Sequence, residues 1–264
     1  HTLLETYKRI APRNVLESFH DAQQALDMAM NLFAAGYLPL DQRSTSETLF
    51  WAICRKLRDQ VRELEYTPDE LKGLDRMLSD TYFCNFSLFQ SMPDSWAIKQ
   101  LFPVMPIHRL DERPTHHAVL GDITCDSDGK IDQFIDLRDV KHSLRLHEFD
   151  GAPYCLATFL VGAYQEILGD LHNLFGDTNT VHVDVAENGE VVFGELVKGD
   201  TVHEVLRYVS FNYIDLVNRL QGAVETAVQS GLLGHAEAGR FVKFYEAALH
   251  GYTYLEEPQE HEAL

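Results

Sequence analysis

Basic residues are scarce in this sequence: 22 Lys and Arg stand against 41 Asp and Glu, a formal net charge of −19 over 264 residues. Nucleic-acid binding rests on Lys and Arg meeting phosphates, so the deficit argues against a nucleic-acid partner; it is compatible with a cationic substrate, which a negative field attracts. Cysteine is sparse too. Cys54, Cys84, Cys125 and Cys155 are widely spaced, with no Cys-x-x-Cys and no His at zinc-ligand spacing, and they read as reduced thiols of a cytoplasmic protein. His116-His117 is no substitute, because adjacent side chains on a strand face opposite ways and cannot both reach one tetrahedral ion. No apolar run is long enough to span a bilayer and no signal peptide is present, so no membrane partner is expected. His1 rather than Met stands first, and the chain is expected to be processed or a piece of something longer.

What is present is ordinary globular material, 45% apolar and long enough for one large domain or two small ones. Val15, Phe19, Ala22, Leu26, Met30 and Phe33 recur at helical spacing up to Gly36. Ser44 to Glu47 reads as a capping box, with Leu49, Ile53, Leu57, Val61 and Leu64 continuing a second helix; Thr67-Pro68-Asp69-Glu70 opens a third with Leu71, Leu74 and Leu78 inside. Residues 1–80 are thus expected to be a helical unit. From Thr81 to Phe89 the pattern turns aromatic and strand-like, and β-like runs follow at His142–Phe149 and Tyr154–Tyr164. Asn188-Gly189 between Thr180–Val185 and Glu190–Val197 is a strong hairpin signal, so residues 81–200 are expected to be β-rich. From Thr201 to Leu264 the helical period returns, with Phe241, Phe244 and Tyr245 expected inward and an acidic, frayed tail from Glu256. Helices, then sheet, then helices without βαβ alternation make an α+β fold.

Two stretches carry candidate chemistry. Gly121 to Asp132 reads Gly-Asp-Ile-Thr-Cys-Asp-Ser-Asp-Gly-Lys-Ile-Asp: a Cys-Asp pair, Cys125-Asp126, where an apolar strand from His117 meets turn residues. A calcium loop is excluded by count, since with Gly129 in the sixth position the first would be Thr124 and the twelfth Ile135, neither acidic. The residues by themselves leave two readings open, a buried Cys before a turn Asp, or a pair facing a cavity. In the second stretch, Tyr154 to Asp177, Tyr164 could offer its hydroxyl to an anion and His172 could act as acid or base, or each could be structural.

Taken together these stretches resemble the biosynthetic arginine decarboxylases. The resemblance is carried by Gly121–Gly129, by Phe-Leu-Val-Gly-Ala-Tyr-Gln-Glu-Ile-Leu-Gly-Asp-Leu-His-Asn-Leu-Phe-Gly-Asp-Thr-Asn at 159–179, by Phe83–Trp96, and by Tyr-Glu-Ala-Ala-Leu-His-Gly-Tyr-Thr-Tyr-Leu at 245–255. It runs through essentially the whole chain in order. That family is similar in fold to alanine racemase and eukaryotic ornithine decarboxylase: a barrel binding pyridoxal 5'-phosphate followed by a β-rich domain, with inserted and terminal helices. The resemblance implies that this chain is the part after the barrel. The family's cofactor-binding lysine, in a Pro-Ile-Lys-Val-Asn-type stretch, and its glycine-rich phosphate loop do not occur here, so the chain alone is expected to be inactive.

Residue by residue, the resemblance implies that Cys125 returns a proton to the substrate carbon after carbon dioxide leaves. It implies that Asp126 meets the distal cationic group of arginine, and that Tyr164 contacts the cofactor phosphate. Asn85 and Ser87 fall in the segment lining the substrate side, without the Asp-Gly of the ornithine enzymes. Implied partners are the barrel-containing half of the enzyme and a second copy, each site being shared across a dimer; magnesium is a further implied cofactor. Two other readings remain open: a decarboxylase of another basic amino acid, and a non-catalytic oligomerisation or regulatory β-domain.

Overall fold

The computed structural model describes residues 1–256, so the acidic tail beyond Glu256 lies outside the described residues. The chain divides into two compact units. The first holds residues 1–81, 106–119 and 140–155, and the second residues 82–105, 120–139 and those from 156 onward.

In chain order the helices are Thr2–Arg9 (α1), Val15–Ala34 (α2), Leu40–Val61 (α3), Leu74–Met77 (α4), Leu88–Ser91 (α5), Pro93–Ala97 (α6), Ala163–Leu168 (α7), Val202–Tyr208 (α8), Tyr213–Gln229 (α9) and His235–Leu249 (α10). The strands are Asp80–Phe83 (β1), Val104–Pro106 (β2), His116–Gly121 (β3), Lys130–Ile131 (β4), Phe134–Ile135 (β5), Val140–Lys141 (β6), Leu144–Leu146 (β7), Leu156–Thr158 (β8), Thr180–Val185 (β9) and Val191–Val197 (β10). None of the described helices is long and apolar enough to cross a membrane.

The first unit is built on α1, α2 and α3. Val15, Phe19 and Ala22 of α2 are buried against Ile53, Leu57 and Val61 of α3, as the three-and-four spacing requires, with Leu3 of α1 closing the cluster. Helix α3 begins four residues before the expected capping box. Pro39 sets the boundary, and Thr45, Ser46 and Thr48 turn their hydroxyls back onto the carbonyls of Asp41, Gln42 and Ser44. Glu47 takes the guanidinium of Arg43 at 2.9 Å instead of capping Ser44. The third expected helix is shorter than its leucines suggest: a 3-10 turn at Asp69–Leu71, then α4. Within this unit β7 pairs antiparallel with the start of β3, His116 opposite Leu146 and Ala118 opposite Leu144.

In the second unit, the end of β3 pairs with β4, Leu120 opposite Ile131. The hairpin forms where Asn188-Gly189 points to it: β9 and β10 are antiparallel, and Gly189 has φ +84°, the region that Gly enters without steric cost. Helices α9 and α10 pack on Val217, Val224, Ala238 and Leu249. Phe241 and Phe244, expected inward, are 47% and 68% exposed. The inward stripe of α10 runs through Ala238 and Leu249 and leaves both rings on the outer side.

Candidate functional site

The site lies in the second unit and grows out of one buried carboxylate. Asp122, at the end of β3, is 2% exposed. Its Oδ2 accepts from the backbone N–H of Leu88 at 2.9 Å, and its Oδ1 accepts from Thr124 N at 3.0 Å and Thr124 Oγ1 at 2.8 Å. It therefore caps the first turn of α5 from a distant part of the chain, while Ser87 accepts from Gln90 N at 3.3 Å. Asp122 N donates to Gly129 O at 2.8 Å, closing the loop between them. A Cβ on Gly129 would stand 2.1 Å from Asp122 Oδ1, so only glycine fits.

That loop presents Cys125 and Asp126, both exposed. Asp126 Oδ1 accepts from Asp128 N at 2.9 Å, and Gly129 N donates to Asp126 O at 3.0 Å, so the turn chemistry read in Ser127-Asp128-Gly129 forms. The other Asp126 oxygen lies 3.9 Å from His172 Nε2. Asp128 Oδ2 accepts from the indole N–H of Trp96 at 3.3 Å. The rings of His172 and Trp96 both pack on Phe89, at centroid distances of 4.3 and 5.4 Å. A largely buried phenylalanine thus supports two polar rings, one at each end of the Asp126–Asp128 turn.

Opposite Cys125 lies the segment from Leu171 to Asp177. Asn173 Nδ2 donates to Cys125 Sγ at 3.4 Å. Leu171, Asn173 and Leu174 have φ of +57°, +55° and +61°, a left-handed run that costs roughly 1 kcal/mol or more per side-chain-bearing residue. Gln90, itself buried, holds the run at both ends: Leu171 N donates to its Oε1 at 2.9 Å, and its Nε2 donates to Asp177 Oδ1 at 2.7 Å. Tyr254 Oη donates to Gly176 O at 2.9 Å, and burial pushes that phenol up from its ordinary value.

The remaining expected site residues fall elsewhere. The strand expected from Thr81 to Phe89 stops at Phe83, because Ser87 caps α5. Ser87 is fully buried. Asn85 bonds both backbone groups of Leu255, Nδ2 to O at 2.8 Å and N to Oδ1 at 2.9 Å, so it anchors the chain after α10. Tyr164, expected at a strand end, stands on the first turn of α7 and is 77% exposed. Among the described residues no hydrogen bond or ion pair joins it to Cys125 or Asp126. Its neighbour Gln165 donates to Asp94 Oδ2 at 2.6 Å, fixing α7 to α6. Cys84 is sequestered, with burial pushing its thiol up to about 11. No group of three or more His, Cys, Asp or Glu among the described residues is placed to hold a metal ion. Asn173, Gln90 and Asp122 were not legible as site residues; the one signal was Asn173 itself, the side-chain-bearing type most at ease with a left-handed backbone.

Comparison with known proteins agrees with this arrangement along the chain. Residues 1–75 match the model of an arginine decarboxylase helical bundle domain, and residues 202–255 that of an arginine decarboxylase C-terminal helical extension. The biosynthetic arginine decarboxylase of Rhodopirellula baltica is 58% identical over 97% of this chain and 38% of that protein. That of Gloeobacter violaceus is 54% identical over 96% of this chain and 40% of its own length. The crystal structure of the biosynthetic arginine decarboxylase SpeA from Campylobacter jejuni superposes with a TM-score of 0.79 at 33% identity, covering 97% of this chain and 40% of that one. The chain therefore spans about 40% of the length of the relatives it matches. By the order of its helical and strand elements and by these likenesses, it belongs to the biosynthetic arginine decarboxylase family, as a C-terminal portion.

Proposed function

We propose that the complete enzyme decarboxylates arginine to agmatine for polyamine synthesis in the cytoplasm, and that this chain supplies Cys125 and Asp126 to a pocket whose pyridoxal phosphate is held by the barrel half. The observation that carries this reading is the exposed Cys125–Asp126 pair on a turn fixed by the buried Asp122. Cys54 is buried and Cys84 half-buried, as structural cysteines are, and of the two exposed cysteines, Cys125 and Cys155, only Cys125 has a carboxylate beside it in the sequence.

Tyr164 fits a contact with the cofactor's phosphate, since its phenol is exposed on a first helical turn next to Gly162, where nothing lies within 4 Å of an added Cβ. The chain has no lysine in the family's cofactor-binding setting, which is why it needs the other half to act. When bound, pyridoxal phosphate draws electrons from the substrate carbon so that carbon dioxide can leave. The task left to this chain is to orient the substrate and to return one proton. Asp126 orients: one oxygen is committed to the turn, and the other is open to a guanidinium as well as to His172. Cys125 returns the proton from its Sγ.

A covering half is further supported by the β9–β10 hairpin, which leaves Val183, Val185, Phe193 and Leu196 more than half exposed, an apolar surface larger than isolated solvent-facing side chains explain. We assign that cover to the barrel half and the sharing of each pocket to a second copy. Magnesium we assign to the complete enzyme, with no donors named in this chain.

The test is to assay carbon dioxide release by the full-length enzyme with arginine, ornithine, lysine and diaminopimelate. Arginine should be turned over fastest. Cys125→Ala should lower kcat by roughly 100-fold, the size of one well-placed proton transfer. Asp126→Ala should raise the KM for arginine by about 10-fold or more, the worth of a hydrogen-bonded ion pair. Full activity in both variants would leave only a non-catalytic module, and preference for another basic amino acid would reassign the substrate.

A further inference from the structure

Three of the four residues Leu171 to Leu174 adopt the left-handed backbone, and two of the three are leucines, for which that conformation is strained. The strain is held by hydrogen bonds from outside the run: Gln90 takes Leu171 N at 2.9 Å, and Thr253 Oγ1 takes Gly176 N at 3.0 Å. What the run achieves is visible in where its side chains go. His172 and Asn173, consecutive in sequence, reach Asp126 and Cys125, also consecutive: His172 Nε2 is 3.9 Å from Asp126 Oδ2, and Asn173 Nδ2 is 3.4 Å from Cys125 Sγ. The amide hydrogen points at the sulfur, so the thiol's own hydrogen is directed away from Asn173.

We propose that Asn173 is a positioning residue for Cys125, orienting the thiol and stabilising the sulfur once its proton has left. This rests on the reading that Cys125 returns the proton in arginine decarboxylation. In that step the S–H bond breaks and a C–H bond forms at the carbon that has lost carbon dioxide. The electron pair of the S–H bond stays on Sγ as a thiolate, and a proton from solvent later restores the thiol. The negative charge therefore develops at the atom to which Asn173 donates, where a hydrogen bond to a charged acceptor is stronger than to the neutral thiol.

Substitutions compatible with a left-handed backbone separate the hydrogen bond from the strain. Asn173→Gly keeps the conformation and removes the donor; Asn173→Asp keeps it and puts a carboxylate beside the sulfur. In the chain itself, iodoacetamide alkylation near neutral pH, read peptide by peptide by mass spectrometry, reports the thiolate. Exposed Cys155 serves as the internal rate reference, and the protected Cys54 and Cys84 show that the fold is intact. Relative to Cys155, the rate at Cys125 should fall about threefold in Asn173→Gly and about tenfold in Asn173→Asp. A rate at Cys125 equal to or above that of the unsubstituted chain in either variant overturns the proposal. In the full-length enzyme Asn173→Gly should lower kcat for arginine with KM held within about twofold, and should add nothing to Cys125→Ala; an undiminished loss on top of Cys125→Ala would equally overturn it. The alkylation ratio needs no turnover, so it decides the role of Asn173 even where Cys125→Ala itself shows the decarboxylation reading to be wrong.

Discussion

Replacing Asp122 with alanine tests whether the whole presentation of Cys125 depends on one carboxylate. The substitution strips the acceptor from three donors: Leu88 N, Thr124 N and Thr124 Oγ1. Leu88 N lies buried at the first turn of α5 and has no intrahelical partner there, so its loss costs about 2 kcal/mol; the Thr124 groups are only partly buried and add about 1 kcal/mol. The sum of ~3 kcal/mol corresponds to a fall of about 6 to 12 °C in the melting temperature of a unit this size.

Gly129→Ala attacks the same interaction from the other side. Its Cβ would sit 2.1 Å from Asp122 Oδ1, so the carboxylate must swing away and surrender the same hydrogen bonds, at a similar ~3 kcal/mol. With Asp122 already alanine the obstacle is gone, and Gly129→Ala should then add less than ~1 kcal/mol. The double variant should therefore fall about 2 kcal/mol short of additivity, a coupling well above the ~0.5 kcal/mol seen for independent sites. Thermal melts and urea titrations of the four proteins measure it. Additive losses, or a loss under ~1 kcal/mol for Asp122→Ala alone, would refute the role assigned to this carboxylate.

Two further outcomes follow from the geometry. His117 is held below the ordinary histidine range by burial and by the nearby Arg145 guanidinium, and its Nδ1 lies 3.0 Å from Ser143 Oγ. The folded state thus binds fewer protons there than the unfolded chain. Its contribution is present above the ordinary value of 6.5 and is lost as pH falls through the depressed folded value. Urea unfolding at pH 7 and pH 5.5 should show His117→Gln losing less stability on acidification than the unsubstituted chain, and equal losses would be against this. Asn85→Ala should cost about 1 kcal/mol and speed hydrogen exchange at the Leu255 amide at least ~10-fold, since that side chain takes both backbone groups of Leu255. An unchanged exchange rate would mean that the segment is held by other contacts.

How legible these features are in the sequence depends on how far their causes lie along the chain. The Val15–Phe19–Ala22 and Ile53–Leu57–Val61 stripes, and the Asn188-Gly189 hairpin, are set by neighbours within a few residues, and all are where the pattern puts them. The Ser44–Glu47 capping box fails because the same residues serve equally well inside a helix once Pro39 sets an earlier start. Thr81–Phe89 has strand composition throughout, but an acceptor from Asp122, 34 residues on, stabilises α5 at Leu88 and cuts the strand short. Tyr164 misleads in the same way: its apolar upstream run reads as β, and the Gln165–Asp94 pair, 71 residues apart, stabilises α7 instead.

The candidate site divides along the same line, and the division has a physical cause. Cys125, Asp126 and Gly129 announce themselves because a turn is encoded by the residues that form it. His172 is legible only as a possible acid or base and Asn173 not as a site residue, because apart from Asn173 itself nothing in Leu171–Leu174 asks for a left-handed backbone; the leucines oppose it. The conformation exists only because Gln90, 81 residues before Leu171 and 87 before Asp177, offers an acceptor to one end of the segment and a donor to the other. Residues that carry charge or a proton can be found by type and neighbourhood. Those that aim them are fixed by hydrogen bonds closing over long stretches of chain, and they appear only when the backbone between them is traced.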